Sequence, residues 1–230
     1  SEQIVEEWLK KNKITEVECL VPDITGNARG KFIPANKFVK EDSRLPEGIL
    51  AQTVTGEYSD DFWELLGTVD GDMLLEPDPN TMRMVPWANE ATAQIIHDCY
   101  TKDGKPHPFS SRNVLKRILA LYEAEGLKPV IAPEVEFYLI EKNVDPDSAL
   151  KPPIGRSGRP ETARQSYSID AANEFEDFVE TMYGYGEAMG LDLDSLIHES
   201  GAAQLEVNFI HGDPLDLADQ VFTFKRLARE

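Results

Sequence analysis

Two stretches of this sequence, PEVEFYLI at 133–140 and AQLEVNFI at 203–210, alternate apolar and polar residues with a period of two. That period belongs to the β-strand, whose successive side chains point to opposite faces. In the first stretch Val135, Phe137 and Leu139 share one face, and Glu134, Glu136 and Tyr138 share the other. In the second, Leu205, Val207 and Phe209 lie opposite Gln204, Glu206 and Asn208. Each strand therefore needs a core on one side and carries carboxylates on the other. Glu199 stands seven residues before Glu206, across a Ser200-Gly201 turn. If the two strands are neighbours, three or four carboxylates converge, and their repulsion is costly unless a cation lies above them. Hard oxygen ligands of this kind select Mg2+ or Mn2+, and no Cys or His competes at these positions to favour zinc. A Glu-x-Glu strand taken alone is more often the solvated face of a sheet, so pattern alone leaves both readings open.

The remaining elements frame these strands. Residues 3–12 read as a short helix with Ile4, Val5, Trp8 and Leu9 on one face. Strand-like runs follow at 15–21, in GKFIP, and at 49–55, 72–77, 81–86 and 91–100, with PDPN at 77–80 as a turn between two of them. Residues 1–103 thus form a mainly β domain, and DGKPHPF at 103–109 marks the boundary to a second domain, 104–230. There, Ser110 or Ser111 caps a helix whose stripe is Val114, Leu115, Ile118, Leu119 and Tyr122, with Gly126 as its stop. A strand at 129–141, a mobile surface loop at 143–164, and a helix from Asp170 to Gly190 through Phe175, Phe178, Val179 and Met182 come next. Asp213-Pro214 opens a last helix, with Leu217, Val221, Phe224 and Ala228. No stop signal follows, which predicts that the sequence is part of a longer protein.

Charge and composition narrow the partners. Lys and Arg number 23 against 42 Asp and Glu, a net charge of −19. That field repels phosphate backbones and anionic lipid, so nucleic acid and membrane are excluded as partners. No apolar run approaches the roughly 20 residues of a membrane span. The acidic, amphipathic start is not a secretory signal, so the expected location is the cytoplasm. Cys19 and Cys99 lie in apolar strand-like runs without metal or redox spacing and are expected to be buried, reduced thiols.

At the carboxylate strands the chain resembles the glutamine synthetase family. PEVEFYLI is similar to that family's first metal strand, Gly-Pro-Glu-x-Glu-Phe-x-Leu. HESGAAQLEVNF is similar to its second, where a Glu is followed seven or eight residues on by Gln-x-Glu. DMLLEPDPNTMRMVPW is similar to the segment before the catalytic domain, and the resemblance runs in order along essentially the whole chain. It implies an α+β fold: an N-terminal β-grasp domain, then the first part of a catalytic domain whose curved antiparallel sheet holds the metals. It implies that Glu136, Glu199 and Glu206 bind the metal nearest the amino-acid substrate, that Glu134 binds the metal holding the ATP phosphates, and that Asp194 contacts the nucleotide. Tyr138 and Gln204 would shape the site. The implied reaction is ATP-dependent: glutamate forms a γ-glutamyl phosphate, and ammonia or an organic amine displaces phosphate. The implied assembly is a ring-shaped homo-oligomer.

Two departures qualify the resemblance. The family's later site motifs are absent, so the 230 residues alone are expected to be inactive. Ammonia-using members also carry an Asp-Gly-Ser-Ser type loop, where this chain reads AQTVTGEYSDD with Thr53 near the Asp. Glu57, Asp60 or Asp61 could substitute, but none matches cleanly. This favours relatives that glutamylate organic amines, such as polyamine ligases, over glutamine synthetase proper. Two other classes are weighed. In a non-catalytic relative, the carboxylates would repel each other to no purpose. A carboxylate glycosidase needs a separated acid and base, unlike the adjacent Glu134 and Glu136.

Overall fold

The structure is a computed structural model, and it describes every residue except Ser1, Glu41 and Thr68. The fold is α+β, in two compact units. One comprises 1–129 with 214–230, and the other 130–213.

The first unit is built on a mixed sheet. Helix α1 (Glu2–Lys11) leads into β1 (Glu16–Pro22) and β2 (Ala28–Pro34), and a short α2 (Ala35–Phe38) precedes β3 (Ser43–Pro46). A 3-10 turn at Glu47–Ala51 and α3 (Phe62–Leu66) lead to β4 (Asp72–Pro77), β5 (Arg83–Met84) and β6 (Thr92–Tyr100). The strand order is β2-β1-β6-β4-β3, with β5 on β6. The central pair, β1 and β6, is parallel, and the other pairings are antiparallel.

Both faces of the central pair are covered, which is why β6 is buried along almost its whole length. On one face Val17, Cys19, Ala93 and Ile95 pack with Val5 and Leu9 of α1. On the other, Leu20 and Ile96 meet Phe222 of α7 (Pro214–Leu227), Gln94 donates to Thr223 Oγ1 at 2.9 Å, and Arg226 pairs with Glu18 at 2.6 Å. Cys19 and Cys99 are buried free thiols, each pushed up to about 12, chiefly by loss of hydration.

A buried cation holds the second helical layer. Helix α4 (Ser111–Ala124) is capped by Ser110, which accepts from Asn113 N–H. The residue that α4 buries is Arg112, not the apolar stripe the sequence suggests. Its guanidinium reaches Asp78 at 2.6 Å, Asp98 at 2.5 Å and Asp219 of α7 at 2.9 Å, and Lys116 joins Asp98 as well. Val114, Ile118 and Tyr122 are 37%, 41% and 44% exposed. The polar hub and Phe222 place α4 and α7 with the N-terminal sheet in one compact unit.

The second unit contains β7 (Glu134–Tyr138), α5 (Ile169–Asn173), α6 (Glu176–Met189), β8 (Leu193–His198) and β9 (Gln204–Phe209). Its antiparallel sheet has the order β7-β9-β8. Paired backbone bonds between Ile131 and Gly212 tie its two ends together, at 3.2 and 2.9 Å. Leu205, Val207 and Phe209 are buried, and Phe137 meets Phe178 of α6 with ring centroids 5.9 Å apart. Helix α6 ends in a left-handed Gly190.

Several local expectations are corrected. The strand at 49–55 is the 3-10 turn followed by an isolated bridge from Gln52 to Tyr58. The strand at 81–86 shrinks to β5, because Asp78 caps a turn through Thr81. The strand at 129–141 contracts to β7. The helix from Asp170 is two helices, capped by Ser168 and broken between Asn173 and Glu176.

Replacing Arg112 by Leu strips three carboxylates, two of them buried, of their shared cation. We expect a loss of about 3–5 kcal/mol in unfolding free energy, read from urea denaturation of the wild-type and R112L chains.

Candidate metal centre

The strand pairing sets the site. β7 and β9 run antiparallel with Glu134 opposite Asn208, Glu136 opposite Glu206 and Tyr138 opposite Gln204. Directly opposed residues share a face. The polar sets of the two strands therefore form one surface, backed by the apolar set. Glu199 follows β8, and its N–H donates to Gln204 O at 2.8 Å, closing the hairpin that returns as β9.

The result is a cluster of carboxylates. One oxygen from each of Glu136, Glu199 and Glu206 lies within 4.8 Å of the others, with Glu136 exposed, Glu199 half-buried and Glu206 buried. Among the described residues no other group of three His, Cys, Asp or Glu side chains is arranged to share a metal ion. Glu134 lies outside this group but on the same face, and its charge acts on Glu206. The salt bridges recorded within this unit join Arg156 to Glu176 and His198 to Glu161, so no Lys or Arg neutralises the three glutamates among the described residues. Burial raises the Glu206 pKa above the usual carboxylate range, and Glu134, Glu199 and Glu136 push in the same direction against a hydrogen bond from Asn208. Three oxygen donors without a protein cation match the chemistry of a hard divalent ion.

Neighbouring side chains orient the cluster. Gln204 Nε2 donates to Glu136 Oε2 at 3.0 Å, while Gln204 Oε1 accepts from Gly201 N–H at 2.8 Å. Glycine at 201 leaves room for the Tyr138 ring and the Gln204 amide, since a Cβ there would come within 2.5 Å of the ring unless Tyr138 shifted. Asp194 does not join the cluster. It is exposed on β8, and its charge acts on Tyr183 of α6.

Sequence reading passed over Glu161 and His198. They are buried together, with Glu161 Oε2 at 2.7 Å from His198 Nε2. Only the HESG string drew notice to His198, and nothing in the pattern around Glu161 sets it apart from a surface carboxylate. The 143–164 segment that contains Glu161 is crossed by defined bonds, among them a bridge from Ile154 to Pro160 and Ser157 N–H to Glu174 Oε2 at 2.8 Å. In the other unit Thr53 sits in an exposed turn, and its hydroxyl accepts from Glu57 N–H at 3.1 Å. Glu57, Asp60 and Asp61 are exposed nearby.

The comparisons bear on this geometry. Residues 108–230 match the family model described as glutamine synthetase, catalytic domain. The chain is 30% identical over 239 residues to gamma-glutamylputrescine synthetase of Escherichia coli (strain K12), covering 99% of this chain and 49% of that protein. It is 31% identical over 220 residues to glutamine synthetase of Pyrococcus furiosus, covering 95% of this chain and 45% of that protein. Among solved structures, one described as apo GmaS without ligand superposes with a TM-score of 0.75 at 23% identity, covering 97% of this chain and 48% of the other. The chain thus spans about half the length of the relatives it matches. No helix among the described residues is long and apolar enough to cross a membrane.

Because its pKa is raised, ionising Glu206 costs more in the folded metal-free chain than in the unfolded one. Its unfavourable contribution grows as pH rises from the usual carboxylate range through the raised value. Glu206→Gln should raise the melting temperature of the metal-free chain at pH 7, and the difference should vanish in acid below the unfolded-state value. Thermal unfolding in EDTA across that range measures it.

Proposed function

The chain belongs to the glutamine synthetase family, and from that premise we propose that Glu136, Glu199 and Glu206 hold a Mg2+ or Mn2+ ion in an ATP-dependent ligase that joins glutamate to an amine. The observation that carries the reading is the convergence of these three carboxylates, within 4.8 Å, on one face of a sheet whose other face is core. Glu134 would serve a second ion on the phosphate side, in keeping with its place on the same face outside the three-way group. When bound, such ions offset charge between two anions that must meet, the carboxylate of glutamate and the γ-phosphate of ATP. The route would pass through γ-glutamyl phosphate, from which the amine displaces phosphate. The chain's own residues fix the donors: Gln204 holds Glu136, and Gly201 admits the Tyr138 ring beside Gln204.

The acceptor is proposed to be an organic amine. Identity to an amine-using relative and to a glutamine synthetase is nearly equal, at 30% and 31%, so local chemistry has to decide. Ammonium must be held by anions and lose a proton before it attacks. Thr53 is uncharged, cannot act as a base near pH 7, and has its hydroxyl engaged in its own turn. Glu57, Asp60 and Asp61 are candidates for the distal end of a longer amine. Use of ammonia is the alternative, supported by the similarity to the Pyrococcus enzyme. The rest of the proposal is a nucleotide contact at Asp194, a β-grasp division at 103/104 suggested by the parallel central pair, a ring of subunits, and a cytoplasmic setting.

The test is kcat/KM for ammonium against putrescine, spermidine, ethanolamine and simple alkylamines, in a protein of the relatives' full length that carries this chain. At least one organic amine should exceed ammonium. An ammonium value above every organic amine would restore ammonia as acceptor, and absence of turnover with all of them, despite metal and ATP binding, would favour a non-catalytic role.

A further inference from the structure

The two ends of the turn that presents the glutamates are held by one buried carboxylate. The turn runs from Glu199 to Ala203, between β8 and β9. On the exit side, Ala203 has a φ of +54°, a conformation a non-glycine residue keeps only when its surroundings enforce it. Its N–H donates to Glu161 Oε2. On the entry side, His198 Nδ1 lies 2.6 Å from the carbonyl oxygen of Glu199. A carbonyl only accepts, so Nδ1 carries the hydrogen. His198 Nε2 then reaches the same Glu161 Oε2, at 2.7 Å; an ionised carboxylate only accepts, so the ring donates from both of its nitrogens. One oxygen thus links the start of the turn, through His198, with its end, through Ala203.

The segment carrying Glu161 is fastened to the same turn by its backbone. Arg164 N–H donates to Ser200 O at 2.6 Å and Tyr167 N–H to His198 O at 2.8 Å, and the Ser166 and Ser200 hydroxyls are 2.9 Å apart. Holding Glu161 there is unfavourable in itself. Its side chain is 8% exposed, and its other oxygen, Oε1, is buried with no hydrogen-bond partner among the described residues. An apolar residue would fill this space more favourably but could not accept two hydrogen bonds from the turn.

We propose that Glu161 is a positioning residue for the metal carboxylates: through Ala203 and His198 it fixes the 199–203 turn, and with it the place of Glu199 relative to Glu206. This rests on the metal reading above. The experiment is Mn2+ titration of the chain, followed by the EPR signal of free Mn2+, for wild type, Glu161→Ala, Glu161→Gln, His198→Gln and Glu206→Gln. Glu161→Ala should weaken Mn2+ binding by about 10- to 100-fold, the range seen when a partner of a metal ligand is removed. Glu161→Gln keeps an oxygen that can accept both hydrogen bonds while losing the charge, and should bind close to wild type. His198→Gln keeps a donor toward Glu161 but loses the one toward Glu199, and should weaken binding. It carries the test if Glu161→Ala does not fold by circular dichroism.

A structural role alone would lower the melting temperature and leave the Mn2+ constant unchanged; that result in Glu161→Ala, or in His198→Gln where it replaces it, overturns the proposal. So does a Glu161→Gln chain as weak as Glu161→Ala, or as His198→Gln where that replaces it, since loss of charge would then explain the effect. Failure of the metal reading looks different: wild type would not bind Mn2+, or Glu206→Gln would bind as well as wild type.

Discussion

Glu136 faces Glu206 across an antiparallel pair, and like charges placed directly opposite each other weaken a sheet. Much of the smaller unit can be understood as what makes that pairing tolerable. The reverse face supplies the compensating burial: Leu205 and Val207 are fully excluded from solvent, Phe209 nearly so. A slip of one residue in β9 would turn those side chains to the polar face and Glu206 into the core, so the apolar set enforces the register that brings the charges together. The Gln204 amide then donates to one glutamate and accepts from the Gly201 backbone, which leaves it a single orientation.

The larger unit also gathers three acids, two of them buried, and treats them differently. Asp78, Asp98 and Asp219 surround Arg112, with Lys116 at the edge, so the cations are part of the polypeptide. Burial tends to push the Asp78 pKa up, but the hydrogen bonds from Arg112 and the Asn80 N–H, with the charges of Arg112 and Lys116, together outweigh it and leave the group below the usual range. For Asp219 burial prevails and the shift is upward. Where the acids serve the fold, the protein supplies the counter-charge. Around Glu136, Glu199 and Glu206 it supplies an amide and no guanidinium or ammonium among the described residues. That difference, more than acidity as such, separates a candidate ion site from a structural hub.

How much of this was legible in the sequence depended on whether a residue's role was periodic. The two polar-faced strands were readable because period two assigns each side chain a face, and the pairing then brought Glu136 and Glu206 together in register. Helix ends at Gly190 and Pro214 were readable from the same kind of local rule. Arg112 was not: a charged residue in the first turn of an amphipathic helix looks solvated until the strand bearing Asp98 and the helix bearing Asp219 are placed around it. Gln94 and Asp98 were likewise hidden, because β6 is covered on both faces and polar residues there meet polar partners rather than water. The stretch at 49–55 failed for a different reason. It has strand composition but closes a tight turn through Thr53 and Glu57, and short apolar runs do not distinguish the two.

Glu161 marks the limit of reading by pattern. It comes from an irregular segment, no spacing relates it to Glu199 or Glu206, and its partners are a histidine ring and a backbone amide. The strand glutamates are placed by periodicity and pairing, which a sequence can display. The turn that joins them is placed by a tertiary contact across 42 residues of chain, which it cannot. Carboxylates that converge within a few ångströms need both kinds of control, since strand register sets Glu136 against Glu206, while Glu199, beyond the end of β8, is tied to β9 only by its bond to Gln204 O and depends on the turn that follows it. The buried carboxylate and histidine act on that turn.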